Sequence, residues 1–497
     1  MKRLGVWRLS VGVVFLISFS LGFAQAQTDE VPRFERDSSC NVPTPADVRV
    51  TCGNLVVPID RDQPERGTLR LAVSILHSTS DNPAPDPIVS LTGGPGGHTV
   101  EALPYTFRVN YRAFLETRDF IMFDQRGVGL SQPALNCPEL TERYYEDARR
   151  ERTVEEVAQD EVAALLDCNA SLTGAGVNFA DYTTSANAAD VADLRRVLGY
   201  EEWNLFGVSY GTKLALTILR DHSEGVRSAI LDSLYPLQAN LYLERAANQQ
   251  RAFDLLFAAC EADAQCDEAY PDLEKRFYDL VERWNENPVD VGLREGRYYV
   301  NGGMLVNTVF GMLYVKSQIP EIPAFIARVE NGDRNDLAYL AQGALERWEG
   351  VSEGMYYAIQ CGEEVRFADI NEALDSQALL MSPLRQEFTF ITQSTFDICS
   401  GWNAREAQAT EDLPVRSSIP ALVLSGEFDP ITPPSWGQLV ADDLENSFFY
   451  VFPSVGHGAI RTDECAQSIA LQFVEAPTVE PDSDCLADAE PPNFTIN

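Results

Sequence analysis

Three residues far apart in the chain have the types and settings that hydrolytic chemistry needs: Ser209, Asp429 and His457. Ser209 sits in Gly207-Val208-Ser209-Tyr210-Gly211, between an apolar run that starts at Trp203 and a segment rich in alanine and leucine. That order predicts a strand turning sharply into a helix with the serine at the corner. Glycines suit a turn too tight for a Cβ, and the turn aims N–H groups of the helix start at whatever the hydroxyl attacks. A serine hydroxyl attacks poorly until a base takes its proton, and the base needs an acid to hold its tautomer. In a sheet with such a turn the order is serine, acid, histidine, each just past a strand end. Of the four histidines, His77 and His98 precede Ser209, and His222 stands at the far end of the following helix. His457 remains, in Pro453-Ser454-Val455-Gly456-His457-Gly458, directly after the run 448–452. The expected acid is Asp429, in Gly426-Glu427-Phe428-Asp429-Pro430; its competitor Glu427 lies nearer the strand, where a side chain is harder to aim.

An oxyanion formed by such an attack needs two donors. One is the amide of Tyr210. The other is expected from Thr92-Gly93-Gly94-Pro95-Gly96-Gly97, where four glycines in six residues leave amides free to face an anion, with Gly94 the expected donor. A dinucleotide reading of this cluster fails because position 99 is Thr, and the phosphate-loop pattern is absent because Lys213 follows Thr212 rather than Gly. Asp124-Gln125-Arg126-Gly127 reads as a tight turn pinned by an ion pair.

The elements that must position these groups follow from the pattern. Residues 52–58 and 68–76 read as the antiparallel start of a sheet, separated by a charged Pro/Gly turn. Runs at 88–91, 120–123, 203–208, 226–232, 420–425 and 447–452 read as buried strands, and 184–198 as a helix beside the serine strand. Strands alternating with helices imply a mostly parallel α/β sheet flanked by helices. From about Pro236 to about Arg405 the patterns are mainly helical with no comparable buried β run, so 236–405 is expected to be an inserted helical domain. The core is then expected in two parts, 27–235 and 406–497.

Composition sets the compartment and excludes partners. Lys2, Arg3 and Arg8 precede an apolar run at 11–23 and Ala24-Gln25-Ala26, which reads as a secretory signal ending at 26. The run is shorter than the ~18 to 20 residues a bilayer span needs. Without the signal, 35 basic residues face 75 acidic ones, a net charge of −40 against −37 for the whole chain. Such a surface repels nucleic acid and anionic lipid. Ten cysteines in an exported chain suggest disulfides, and their spacing suggests sequence neighbours: Cys40 with Cys52, Cys137 with Cys168, Cys260 with Cys266, Cys361 with Cys399, and Cys465 with Cys485. Neither CxxC nor HExxH occurs, so no metal or other cofactor is expected.

These motifs together resemble the α/β-hydrolase fold, and within it the proline iminopeptidase and tripeptidyl aminopeptidase family of exported serine exopeptidases. The residues carrying the likeness are Gly93-Gly94-Pro95-Gly96-Gly97, Asp124-Gln125-Arg126-Gly127, Gly207-Val208-Ser209-Tyr210-Gly211, Asp429 and Gly456-His457-Gly458. The resemblance spans about 45–485. It implies cleavage near the free N-terminus of peptides, a helical cap over the site, and acidic cap residues holding the substrate ammonium. Tyr357-Ala358-Ile359-Gln360-Cys361-Gly362-Glu363-Glu364 looks like the family's cysteine-plus-acid segment, which makes Glu363 or Glu364 the implied amine anchor. Thr92 departs from the family, since many iminopeptidases have His there; the tripeptidyl branch is the better match. The expectation is a secreted or periplasmic, monomeric serine aminopeptidase. An ester hydrolase on the same three residues and a non-catalytic binding protein are the alternatives.

Overall fold

In the computed structural model, residues 30–103, 111–293, 296–345 and 350–496 are described; the leader expected at 1–26 lies outside them. Within the unit Pro32–Asn497, the β strands in chain order are β1 (Arg33–Arg36), β2 (Val50–Pro58), β3 (Thr68–Leu76), β4 (Ile88–Leu91), β5 (Phe120–Phe123), β6 (Trp203–Val208), β7 (Val226–Asp232), β8 (Val289–Leu293), β9 (Gly296–Val300), β10 (Ala421–Gly426) and β11 (Ser447–Phe452). Nine of them form one sheet in the order β1-β2-β3-β5-β4-β6-β7-β10-β11. The pairs from β1 to β5 are antiparallel, and every pair from β5 through β11 is parallel. This is the mostly parallel α/β sheet expected.

The strand sequences explain the sheet. β4 and β5 are buried along their whole length, as strands covered on both faces must be. Alternate residues feed two cores: Leu205, Leu231 and Val423 on one face, Phe206, Ile230 and Leu424 on the other. Each such side chain, fully buried, contributes about 1.5–3 kcal/mol.

The helices that matter for the site are α1 (Val154–Gly174), α2 (Thr184–Leu198), α3 (Tyr210–Asp221), α4 (Leu241–Ala262), α5 (Gly302–Leu313) and α6 (Ser382–Gly401). Local chemistry sets their ends. Thr183 caps α2 by accepting the Ala186 amide, and Gly199 ends it in the left-handed region at φ 78°. Asn240 caps α4 through the Tyr242 amide. Residues between 246 and 388 supply most of a separate apolar cluster that includes Phe253, Phe257, Phe277, Val306, Phe325 and Leu384.

Two elements depart from expectation. β1, which precedes the first strand expected, pairs along the edge of β2. The segment 236–405 also holds a hairpin, β8–β9, that buries Val291, Tyr298 and Val300. Its strands are short and interrupted by charge and glycine, so no buried β run marks them in the sequence. All five cysteine pairs form as spaced: Cys40–Cys52, Cys137–Cys168, Cys260–Cys266, Cys361–Cys399 and Cys465–Cys485. No helix among the described residues is long and apolar enough to cross a membrane.

Candidate active site

β6 ends at Val208, and α3 starts at Tyr210, with Ser209 between them at φ 58° and ψ −129°. A non-glycine residue at positive φ stores strain that its surroundings must hold. The Ser209 amide donates to the Asp232 carbonyl at 3.1 Å, and the Ser209 carbonyl accepts from the Thr212 amide and hydroxyl at 2.8 and 2.6 Å. Glycine is required at 211 because a Cβ there would collide with the Leu91 carbonyl. Gly93 is equally constrained, since its Cβ would lie 2.9 Å from the Ser209 Cβ. The glycine loop therefore passes directly over the half-buried serine.

Asp429 follows β10 and is fully buried. One carboxylate oxygen accepts the amides of Ile431 and Thr432 at 3.0 and 2.9 Å. The other accepts the Thr432 hydroxyl at 2.6 Å and His457 Nδ1 at 2.8 Å. Burial alone would raise this carboxyl's pKa, but the adjacent imidazole and the Thr432 donors outweigh it and hold the group below the ordinary aspartate value. An ionised acceptor at Nδ1 assigns the Nδ1–H tautomer and leaves Nε2 as the proton acceptor. Glu427 takes a different role: its carboxylate accepts the Ser454 amide at 3.1 Å and braces the loop ahead of His457. The His457 ring packs on Tyr314 with centroids 4.6 Å apart, and its amide donates to the Tyr314 carbonyl at 3.0 Å. Among the described residues the Ser209 hydroxyl makes no hydrogen bond, and no hydrogen bond uses the amide of Gly94 or of Tyr210. Contacts of this kind commonly tighten only when substrate is bound.

Sequence reasoning missed the residues that tie these loops together. Asp232, at the end of β7, holds the Ser209 turn through its carbonyl. Its carboxylate accepts the amides of Ala459 and Ile460 at 2.8 and 3.0 Å, just past His457. The next residue, Ser233, accepts the Gly458 amide on its hydroxyl at 2.7 Å. Asp232–Ser233 thus fixes the histidine loop against the serine turn. Burial pushes the Asp232 carboxyl up to about 6, with the two amides and the His457 charge opposing the rise. From α4, Arg251 donates to the carbonyls of Glu427 and Asp429 at 2.8 and 2.5 Å, clamping the acid's loop.

Two expectations change. Asp124 and Arg126 do not pair with each other. Asp124 accepts the amides of Thr99, Val100 and Leu130 at 2.8–2.9 Å, whereas Arg126 pairs with Asp190 on α2 at 2.7 and 2.8 Å. The turn is pinned by backbone amides instead. Glu363 and Glu364 are both buried inside the fold. Glu363 accepts the Thr184 amide and hydroxyl at 2.7 and 2.5 Å, and the Thr184 hydroxyl meets the Tyr210 phenol at 2.8 Å. Glu364 pairs with Lys213. Burial works against the Lys213 charge, but Glu364 and Glu363 outweigh it and raise its pKa. The chain's acid pair therefore locks α3 in place.

A cavity of about 650 Å³ lies between helices of the segment 236–405 and α1. Ser209 and His457 are not in its wall; two of its lining residues adjoin the site, Tyr314, which packs on His457, and Tyr356, whose amide lies close over Gly96. Glu363 and Glu364 do not line it, whereas Asp147, Glu161, Arg245 and Glu387 do. No group of three or more His, Cys, Asp or Glu side chains among the described residues is placed to hold a metal.

The family model described as the alpha/beta hydrolase fold matches residues 86–463. Serine protease Hip1 of Mycobacterium tuberculosis (strain ATCC 25618 / H37Rv) is 24% identical over 460 residues, 86% of each chain. Tripeptidyl aminopeptidase of Streptomyces lividans is 29% identical over 227 residues, 43% of this chain and 40% of its own. Carboxylesterase B of Mycobacterium tuberculosis (strain CDC 1551 / Oshkosh) is 24% identical over 460 residues, 87% of this chain and 85% of its own.

Proposed function

We propose that this serine hydrolase, which belongs to the α/β-hydrolase family, is an exported peptidase that cleaves near the free N-terminus of peptides by way of an acyl-enzyme on Ser209. The single observation that carries the reading is the buried Asp429–His457 bond, set on a loop that Asp232 and Ser233 join to the Ser209 turn. His457 Nε2 takes the Ser209 proton as the hydroxyl attacks the scissile carbonyl. The imidazolium, stabilised by Asp429, then gives that proton to the leaving amine. Water attacks the acyl-enzyme as His457 takes its proton, and the imidazolium returns that proton to Ser209 Oγ as the acyl group leaves as its acid. The amides of Tyr210 and Gly94 hold the oxyanion in both steps.

The segment 236–405 acts as the cap that covers the substrate. Its cavity has the volume of a pocket for a short peptide. Glu387, buried on α6 and lining that cavity, replaces Glu363 and Glu364 as the anchor for the substrate ammonium. Export through a leader at 1–26 is supported by the five disulfides. Likeness over the same length to a protein named as a carboxylesterase favours a second reading, ester hydrolysis on the same three residues.

Peptide p-nitroanilides with free and with acetylated N-termini, compared with short acyl esters, separate the two. The peptidase reading predicts that the free-amine anilides have the highest kcat/KM and that acetylation lowers it at least about 100-fold, the loss of a partly buried charged contact. Turnover of esters alone would overturn it.

A further inference from the structure

Arg245, on α4, lines the cavity next to the candidate site. Among the described residues it has no ion pair and no hydrogen bond, and its Nε is buried without a partner. Its guanidinium carbon lies over the Phe388 ring, 5.4 Å from the centroid. A ring face accepts none of the guanidinium's N–H groups as a carboxylate would, and the Nε–H is buried without an acceptor. The other arginines around the cavity are engaged: Arg150 reaches Glu146 at 3.9 Å, and Arg152 donates to Asp160 at 2.5 Å. Further along α4, Arg251 is bound to the carbonyls of the acid's loop. Unlike Arg150 and Arg152, Arg245 has no carboxylate partner among the described residues, in a chain with 75 acidic residues against 38 basic ones.

Its place ties it to the chemistry. Six residues along α4 from Arg251 is about 9 Å, so the helix that clamps Asp429 also fixes Arg245. Burial raises the Tyr314 phenol and the Arg245 charge opposes that rise, which puts Arg245 within electrostatic reach of the ring that packs on His457. A planar guanidinium fork matches a carboxylate in two hydrogen bonds. The strong negative charge of the chain repels anions at long range. A carboxylate that enters must therefore be recognised locally.

We propose that Arg245 is a specificity-determining residue that binds a carboxylate of the substrate, either the C-terminal carboxylate of a short peptide or an acidic side chain. The proposal rests on the hydrolase reading of Ser209. A substrate held this way places its anionic end against Arg245 and its scissile carbonyl toward Ser209, with Tyr314 between them.

The test compares matched substrates on the full chain and on Arg245→Gln and Arg245→Lys. One arm pairs short peptides ending in a free acid with the same peptides as C-terminal amides. A second pairs Glu with Gln at single positions. A third pairs p-nitrophenyl esters with and without a distal carboxylate, the hemisuccinate against the butyrate. Wild type is expected to favour the charged member of one pair at least about 10-fold in kcat/KM, mainly through KM. Arg245→Gln should bring that ratio close to one and Arg245→Lys should restore part of it. The arm with the preference identifies the source of the carboxylate. Fluorophosphonate labelling of Ser209 in each variant confirms that the protein is folded. No preference in wild type, or equal losses on charged and neutral substrates in Arg245→Gln, would overturn the proposal. Should no peptide be cleaved, the ester pair still reads Arg245, so failure of the peptidase reading is distinct from failure of this one.

Discussion

The strand ends that carry Ser209, Asp429 and His457 and the helical segment above them are held in different ways. At the strand ends, backbone amides are held by groups of one neighbouring strand end: the Asp232 carbonyl takes the Ser209 amide, the Asp232 carboxylate those of Ala459 and Ile460, and the Ser233 hydroxyl that of Gly458, which fixes loops that leave neighbouring parallel strands. In the helical segment, side chains such as Arg245, Tyr314 and Glu387, on or just past helices with their own apolar cluster, line a cavity. Backbone hydrogen bonding and close glycine contacts tolerate few sequences. A helix face that lines a cavity tolerates many. On the proposed function, reaction type is thus written in the first region and substrate choice in the second.

Substitutions at the strand ends should accordingly cost far more in kcat than those in the helices. Asp429→Asn keeps the shape but favours the wrong tautomer of His457, and kcat should fall by about 10⁴ with KM little changed. Steady-state kinetics on one chromogenic substrate checks this; a loss confined to KM would place Asp429 outside the chemistry. Glu364→Gln breaks the buried pair with Lys213 on the nucleophile helix and should lower stability by about 3–5 kcal/mol. Urea unfolding measures it, and a change below about 1 kcal/mol would mean that α3 is held by packing alone.

The Asp232 carboxyl makes a pH-dependent claim. Its pKa is raised from 3.8 to about 6 in the folded chain, so between those values the folded state binds more protons than the unfolded one. Stability from this group is present at low pH and declines as pH rises toward 6, by at most about 3 kcal/mol. The stability of wild type relative to Asp232→Asn should therefore fall between pH 4 and pH 6.5. A constant difference across that range would contradict the burial argument. Tyr314→Ala removes the ring packed on His457 while leaving the carbonyl that holds the histidine amide. A contact of this size is worth about 0.5–1.5 kcal/mol, so kcat/KM should drop about 2- to 10-fold. A loss near that of Asp429→Asn would erase the contrast between the two regions.

The same contrast explains what the sequence disclosed. The serine turn could be read because Gly207 and Gly211 are demanded by contacts with neighbouring backbone. The parallel strands were visible as apolar runs, and the five disulfides as neighbours in spacing. Asp232 was hidden: an aspartate ending a strand looks ordinary, and its partners are amides 227 and 228 residues away. Glu363 and Glu364 stood out as acids, but nothing local shows that Thr184 and Lys213 would take them. The hairpin of β8 and β9 was masked by its charged and glycine positions, and Arg245 by its place on a long helix of mixed polarity.

The most direct test is intact-mass analysis after treatment with a fluorophosphonate at neutral pH. The account predicts one adduct, mapped to Ser209, absent in Ser209→Ala and formed at least about 10³-fold more slowly in His457→Ala. An adduct that persists in Ser209→Ala, or a labelling rate untouched by His457→Ala, would contradict it.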